Sequence, residues 1–127
     1  MTSQQVASGW SKGADDALDT AQKLMESGKY HHALFFCHLA LEKALKAKIT
    51  MVTDEPPLPI HGLLRLAEVA GVSLSHEQRE QLREINTFNV EARYDDYKLK
   101  FYKKATKKYA EMWFSITKIL LLWFKQN

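Results

Sequence analysis

The chain has one cysteine, three prolines and five glycines in 127 residues, and each scarcity excludes something. A lone thiol, Cys37, cannot close an internal disulfide or supply a multi-thiolate metal site; within an apolar helix it reads as a small buried residue. Pro56, Pro57 and Pro59 share one four-residue window, and no glycine occurs in residues 72–127. That is the punctuation of an all-helical chain with one rigid loop. The longest uninterrupted apolar run, residues 119–124, is far below the roughly 20 residues that a bilayer span needs. Met1-Thr2-Ser3-Gln4-Gln5 has neither the basic start nor the apolar core of a secretory signal, so a cytoplasmic protein without membrane contact is expected. The sequence has no His-Glu-x-x-His, no Cys-x-x-Cys and no clustered Asp pattern. No dedicated metal site and no cofactor is therefore expected.

What the chain does have is apolar material at helical spacing. Three Trp, six Phe and five Tyr, with 26% charged residues, are the balance of one folded domain over residues 1–127. Val6, Trp10, Ala14, Ala17, Ala21, Leu24 and Met25 recur mostly at intervals of three and four and predict a first helix over residues 4–27. Gly28 follows as its left-handed terminus. A second helix over residues 29–53 buries Tyr30, Leu34, Cys37, Leu41 and Leu45, beside a row of small residues, Ala33, Ala40, Ala44 and Ala47. After the proline loop come a third helix over residues 60–70 and a fourth opened by a Ser75/Gln78 capping box, with Leu82, Ile85 and Phe88 as its sparse apolar positions. Residues 86–96 are the least regular stretch, Asp95 or Asp96 is a candidate N-cap, and one long last helix is expected over residues 97–125. The expected fold class is all-α, an up-and-down antiparallel bundle of four to five helices.

The net charge of +3 hides a split. Residues 1–96 carry ten Lys and Arg against fourteen Asp and Glu, whereas residues 97–127 carry eight Lys against Glu111 alone. A basic pole on an acidic body suits an anionic partner, nucleic acid or an acidic protein surface. Lys100, Lys104, Lys107 and Lys108 are expected to cluster on one helical face, with Lys103 a residue round. There several ammonium groups meet phosphates together, and Tyr97 and Tyr102 are available for base stacking; the plainer role is a solvated outer face. His38, Glu42 and Lys46 form a polar ladder at i, i+4 and i+8 of the second helix. It is either an acid-base or nucleotide-contacting group or a helix-surface ion pair beside a hydrogen-bonded histidine. Trp113, Phe114, Ile119, Leu121, Leu122 and Trp123 cover more of the last helix than a core-facing stripe requires, an independent motive for a homodimer.

Residues 37–47, as Cys-His-x-Ala-x-Glu-Lys-x-Leu-Lys-Ala, resemble the second helix of the HEPN family (higher eukaryotes and prokaryotes nucleotide-binding). These are small helical domains of prokaryotic toxin-antitoxin and nucleotidyltransferase-linked modules. His61, followed by Gly62-Leu63, is similar to the His-x-Leu turn of that family, and the resemblance implies a structural role for it, tying the loop to the bundle. Ala92-Arg93-Tyr94 resembles the element that many members carry before the last helix. The resemblance implies a homodimer and a minimal nucleotidyltransferase as partner. The expected ligand is nucleotide or RNA phosphate, met by Arg93, Tyr94 and the lysine face.

Ribonuclease members of the superfamily carry an Arg followed after four to six residues by a His, and cleave RNA without metal across the dimer. Here Lys98, Leu99 and Lys100 stand at those positions. An Arg alone stabilises a phosphorane-like charge but cannot relay the 2′-hydroxyl proton, so a non-catalytic binding module is expected. The alternative is a metal-independent ribonuclease toxin with an unconventional site, Arg93 stabilising the transition state and His38 acting as acid-base group. A third reading is a structural dimer whose basic face docks an acidic protein; for Arg93 itself the plainer role is an ion pair with Glu91, Asp95 or Asp96.

Overall fold

The computed structural model describes residues 1–57, 59–93 and 99–127, for Arg93 the backbone alone. Six helices and no strand occur among the described residues: α1 (Ser3–Glu26), α2 (Tyr30–Thr53), α3 (Leu63–Val69), α4 (His76–Arg93), α5 (Lys100–Lys104) and α6 (Lys107–Gln126). Hydroxyl side chains set several of the helix starts. Thr2 takes the Gln5 N–H at 3.1 Å while Gln5 Oε1 takes the Thr2 N–H at 2.9 Å. Ser75 and Gln78 repeat the exchange at 3.1 and 2.9 Å to open α4. Each reciprocal pair satisfies two amides that the helix itself cannot. Gly28, at φ 74°, ends α1 in the left-handed region that costs glycine nothing.

The single last helix expected over residues 97–125 is instead two. Thr106 has extended backbone and its hydroxyl takes the Tyr109 N–H at 3.2 Å, so an N-cap inside the run ends α5 and restarts the chain as α6. The burial pattern nevertheless continues across the break: Phe101 and Ala105 precede it, and Ala110, Thr117, Leu120, Leu121 and Phe124 follow. Residues 86–93, expected to be irregular, complete α4 as regular helix. The third helix begins at Leu63 rather than at residue 60. Asp95, Asp96 and Tyr97 lie outside the described residues.

α2 is the axis of the bundle and touches α1, α3, α4, α5 and α6. Its contact with α1 is the most extensive between described helices, because the buried residues of α1 are all alanines: Ala7, Ala14, Ala17 and Ala21. Methyl groups let two backbones approach closely. Val6, Trp10, Leu24 and Met25, expected on that buried face, are half-buried at its edges. α1, α2, α4 and α6 run alternately up and down. Lys125 near the end of α6 reaches Asp15 of α1 at 2.9 Å, and His31 at the start of α2 meets Tyr102 of α5, ring centroids 5.1 Å apart. No described helix is long and apolar enough to cross a membrane.

α4 contributes Leu82, Ile85 and Phe88, all fully buried. Phe88 meets Phe101 of α5 and Tyr109 and Trp113 of α6, with centroids 5.9, 6.1 and 6.2 Å away, so one ring joins three helices. Phe88→Ala should therefore lower stability to urea by about 3–5 kcal/mol, and Phe88→Leu by much less. A loss under about 1 kcal/mol for Phe88→Ala would show that α5 and α6 are held without this ring.

Candidate functional site

His38, Glu42 and Lys46 fall on one side of α2, and the bundle closes over them: His38 is 1% exposed and Glu42 and Lys46 6% each. Glu42 is the hub. Its Oε2 accepts from Lys46 Nζ at 2.9 Å and His61 Nδ1 at 3.0 Å, and its Oε1 lies 3.6 Å from His38 Nδ1. His61 precedes α3, so the carboxylate fastens the end of the proline loop to α2. The Lys46 ammonium also sits 5.4 Å from the Trp10 ring centroid, so α1 covers the cation with an aromatic face. A surface ion pair, one of the two roles open to the ladder, is not what this geometry describes.

His38 Nε2 donates to the His61 carbonyl oxygen at 3.1 Å, which fixes Nε2 as a protonated nitrogen. The Asn86 side chain beside the same imidazole favours its protonated form, and its Oδ1 accepts the Leu63 N–H at 3.0 Å, where α3 begins. Burial pushes His38 below the ordinary imidazole range, against the opposing pull of the Glu42 charge, the hydrogen bond to His61 and the Asn86 side chain. A buried neutral imidazole whose N–H is committed to a carbonyl has no proton ready for a substrate and no open path to one. His61, with its side chain 56% exposed, is the member of the cluster that solvent reaches. Cys37 is fully buried, and burial pushes its thiol up to about 12, outweighing a hydrogen bond with Thr117 that lowers it; it stays protonated and is no nucleophile. Among the described residues, no group of three or more His, Cys, Asp and Glu is placed to hold a metal ion.

The lysine segment is not the one continuous helix expected of it, because the break at Ala105 and Thr106 separates Lys104 from Lys107. Lys104 is turned onto α4, its Nζ 3.2 Å from Glu84 Oε2, 3.7 Å from Glu91 Oε2 and 5.5 Å from the Tyr109 ring centroid. The Tyr109 hydroxyl donates to Glu84 as well, and burial together with that carboxylate holds its phenol above the usual range. Lys100, Lys103, Lys107 and Lys108 are exposed, and Lys104 itself is 38% exposed. Lys107 lies 3.9 Å from Glu111, an exposed helix pair of little energy. Arg93 closes α4, and Tyr94 lies outside the described residues. On α6, Leu121 belongs to the chain's own core, whereas Met112, Ile119 and Leu122 are 51, 68 and 62% exposed and line one side of the helix at i, i+7 and i+10.

Asn86 carries a readable signal: it stands four residues after Leu82, on the apolar face of α4, where an amide needs a buried partner. Glu84 carries none, since Lys104 and Tyr109 reach it from other helices.

Removing the Glu42 carboxylate strands Lys46 in the interior. Glu42→Ala should cost about 3–5 kcal/mol, and Glu42→Leu combined with Lys46→Met should recover most of it in urea unfolding. The folded chain holds the His38 proton less tightly than the unfolded chain does, so the unfolded state binds more protons below about pH 6.5. Stability should be full above that pH and fall as the pH drops through it, and His38→Gln should flatten this part of the profile measured by urea melts.

The arrangement of helices is also found in the crystal structure of TT1696 from Thermus thermophilus, with a TM-score of 0.81 over 94% of this chain and 96% of that one, at 22% sequence identity. That likeness is one of fold. No curated protein matches the chain. The family model of the HEPN domain matches residues 7–127, a span that runs from the first buried alanine of α1 through the Glu42 ladder and His61 to the end of α6. The chain therefore belongs to the HEPN domain family.

Proposed function

We propose that this HEPN domain is a binding module: a homodimer that engages a minimal nucleotidyltransferase in a toxin-antitoxin-type pair. It receives the phosphates of a nucleotide or RNA where α4 stops and α6 starts. The observation that carries the reading is the placement of the lysines. Lys100 and Lys103 on α5, with Lys107 and Lys108 in the first turn of α6, are exposed. The contact of Lys104 with Glu91 brings α5 beside the last turn of α4, which Arg93 ends. Several ammonium groups at one end of a bundle neutralise neighbouring phosphates together and release their counterions. Arg93 and Tyr94 are assigned to this face by their place in the chain, as phosphate and base contacts.

Binding is favoured over catalysis by the state of His38, which is covered by the bundle and gives its N–H to a carbonyl. No histidine follows Arg93 in the sequence. Met112, Ile119 and Leu122 support the homodimer, since an exposed apolar stripe of this kind suits a second copy.

A native pull-down of the tagged protein, with nuclease treatment of one half, tests the reading. Recovery of a nucleotidyltransferase-like protein from both halves is the expected outcome. RNA alone, lost with nuclease and cleaved by the wild type but not by Arg93→Ala, overturns it in favour of a ribonuclease. Lys107→Glu with Lys108→Glu should weaken binding of single-stranded RNA across sequences and reduce the slope of log affinity against log salt by about 1–2.

A further inference from the structure

We infer that Glu84 and Glu91 form a carboxylate clamp that holds Lys104 out of the phosphate-binding face and so restrains the affinity of that face for phosphates; this rests on the basic end of the bundle being the phosphate site. α5 is five residues long and stands on two feet three residues apart. Phe101 packs on Phe88 of α4, centroids 5.9 Å apart, and Lys104 reaches Glu84 and Glu91 at 3.2 and 3.7 Å. Between them Tyr102 and Lys103 are exposed. Of the three lysines of this short helix, Lys104 meets the carboxylates of α4 while its side chain stays 38% exposed, and Lys103 makes no such contact among the described residues.

The state of Glu91 shows why Lys104 is retained. Its Oε2 is buried and has no hydrogen-bond partner among the described residues; the described cation facing it is Lys104, at a distance where charge acts but a hydrogen bond does not. A carboxylate oxygen withdrawn from water depends on a nearby cation. Glu84 Oε2 receives both the Tyr109 hydroxyl and the Lys104 ammonium, and the Tyr109 ring adds a face 5.5 Å away. A phosphate that drew Lys104 out would leave the Glu91 oxygen without that counter-charge. The phosphate gains one cation and two carboxylates lose it, so the exchange yields little. Lys103 and Lys108 are under no such restraint among the described contacts, and Lys107 has only the exposed Glu111 pair.

Charge removal near any basic surface strengthens anion binding, so the test is a cycle rather than a single variant. The probe is a labelled single-stranded oligouridylate, titrated over a salt series against the wild type, Lys104→Gln, Glu84→Gln with Glu91→Gln, and the triple variant. Lys104→Gln should change wild-type affinity by less than about twofold and leave the salt slope unaltered. Glu84→Gln with Glu91→Gln should tighten binding by about fivefold or more and steepen the slope by about one phosphate contact. Adding Lys104→Gln to that pair should remove the larger part of both gains, leaving what the loss of two negative charges supplies through space. Glu91→Gln alone, which leaves the Tyr109–Glu84 bond in place, should act in the same direction to a smaller extent and serves if the pair unfolds.

If Lys104→Gln weakens the wild type as much as it weakens the glutamine pair, the carboxylates act only through space. The clamp is then overturned while the basic site stands. If neither the wild type nor any variant binds the probe in a salt-dependent way, the phosphate site fails and the clamp with it.

Discussion

A carboxylate removed from water must be met by charge and by hydrogen-bond donors, and in this bundle Glu42 is met from several directions at once. Lys46 neutralises it from the next turn of α2, His61 donates to it from the loop before α3, and His38 lies against its other oxygen. Asn86 extends the network to α4, and Trp10 of α1 covers the lysine. A buried pair of this kind is weak evidence for net stability, since two apolar residues of similar volume often do as well. Its force lies in what it forbids: displacing α2 along the bundle, or lifting the loop, leaves a charge without its partner. The elements that must come together for the fold therefore converge on one group.

The second ionic cluster obeys the same chemistry in a wetter setting. Glu84, Glu91 and Lys104 have side chains 31, 40 and 38% exposed, so salt and solvent weaken their attraction. The pair around Glu42 is shielded and serves as architecture. The pairs around Lys104 are only half covered, so they hold their lysine less firmly than Lys46 is held. The two clusters differ in depth rather than in residue type.

Much of the fold was legible because helices are written locally. The intervals of three and four in residues 4–27, the Ser75/Gln78 cap and the glycine after the first helix each act within a few residues of where they stand. The break at Thr106 was not legible, because the burial pattern continues across it and no glycine or proline marks the stop; a threonine between lysines is a faint signal. The i, i+4, i+8 spacing of His38, Glu42 and Lys46 was equally local. Its burial was not, since that depends on Trp10, His61 and Asn86, which the chain brings from three other places. The lysines likewise read as a charge run without acids, while the acids that meet Lys104 belong to the preceding helix.

The seam between α1 and α2 sets a limit of another kind. A methyl group removes little apolar area from water, and a helix whose buried residues are all alanines gains its hold by close approach repeated over many turns rather than by any deep side chain. Such a grip is distributed along α1 from Ala7 to Ala21. It tolerates the loss of one contact, but it does not tolerate widening, because a larger side chain anywhere along the seam pushes the two axes apart and loosens every alanine beyond it.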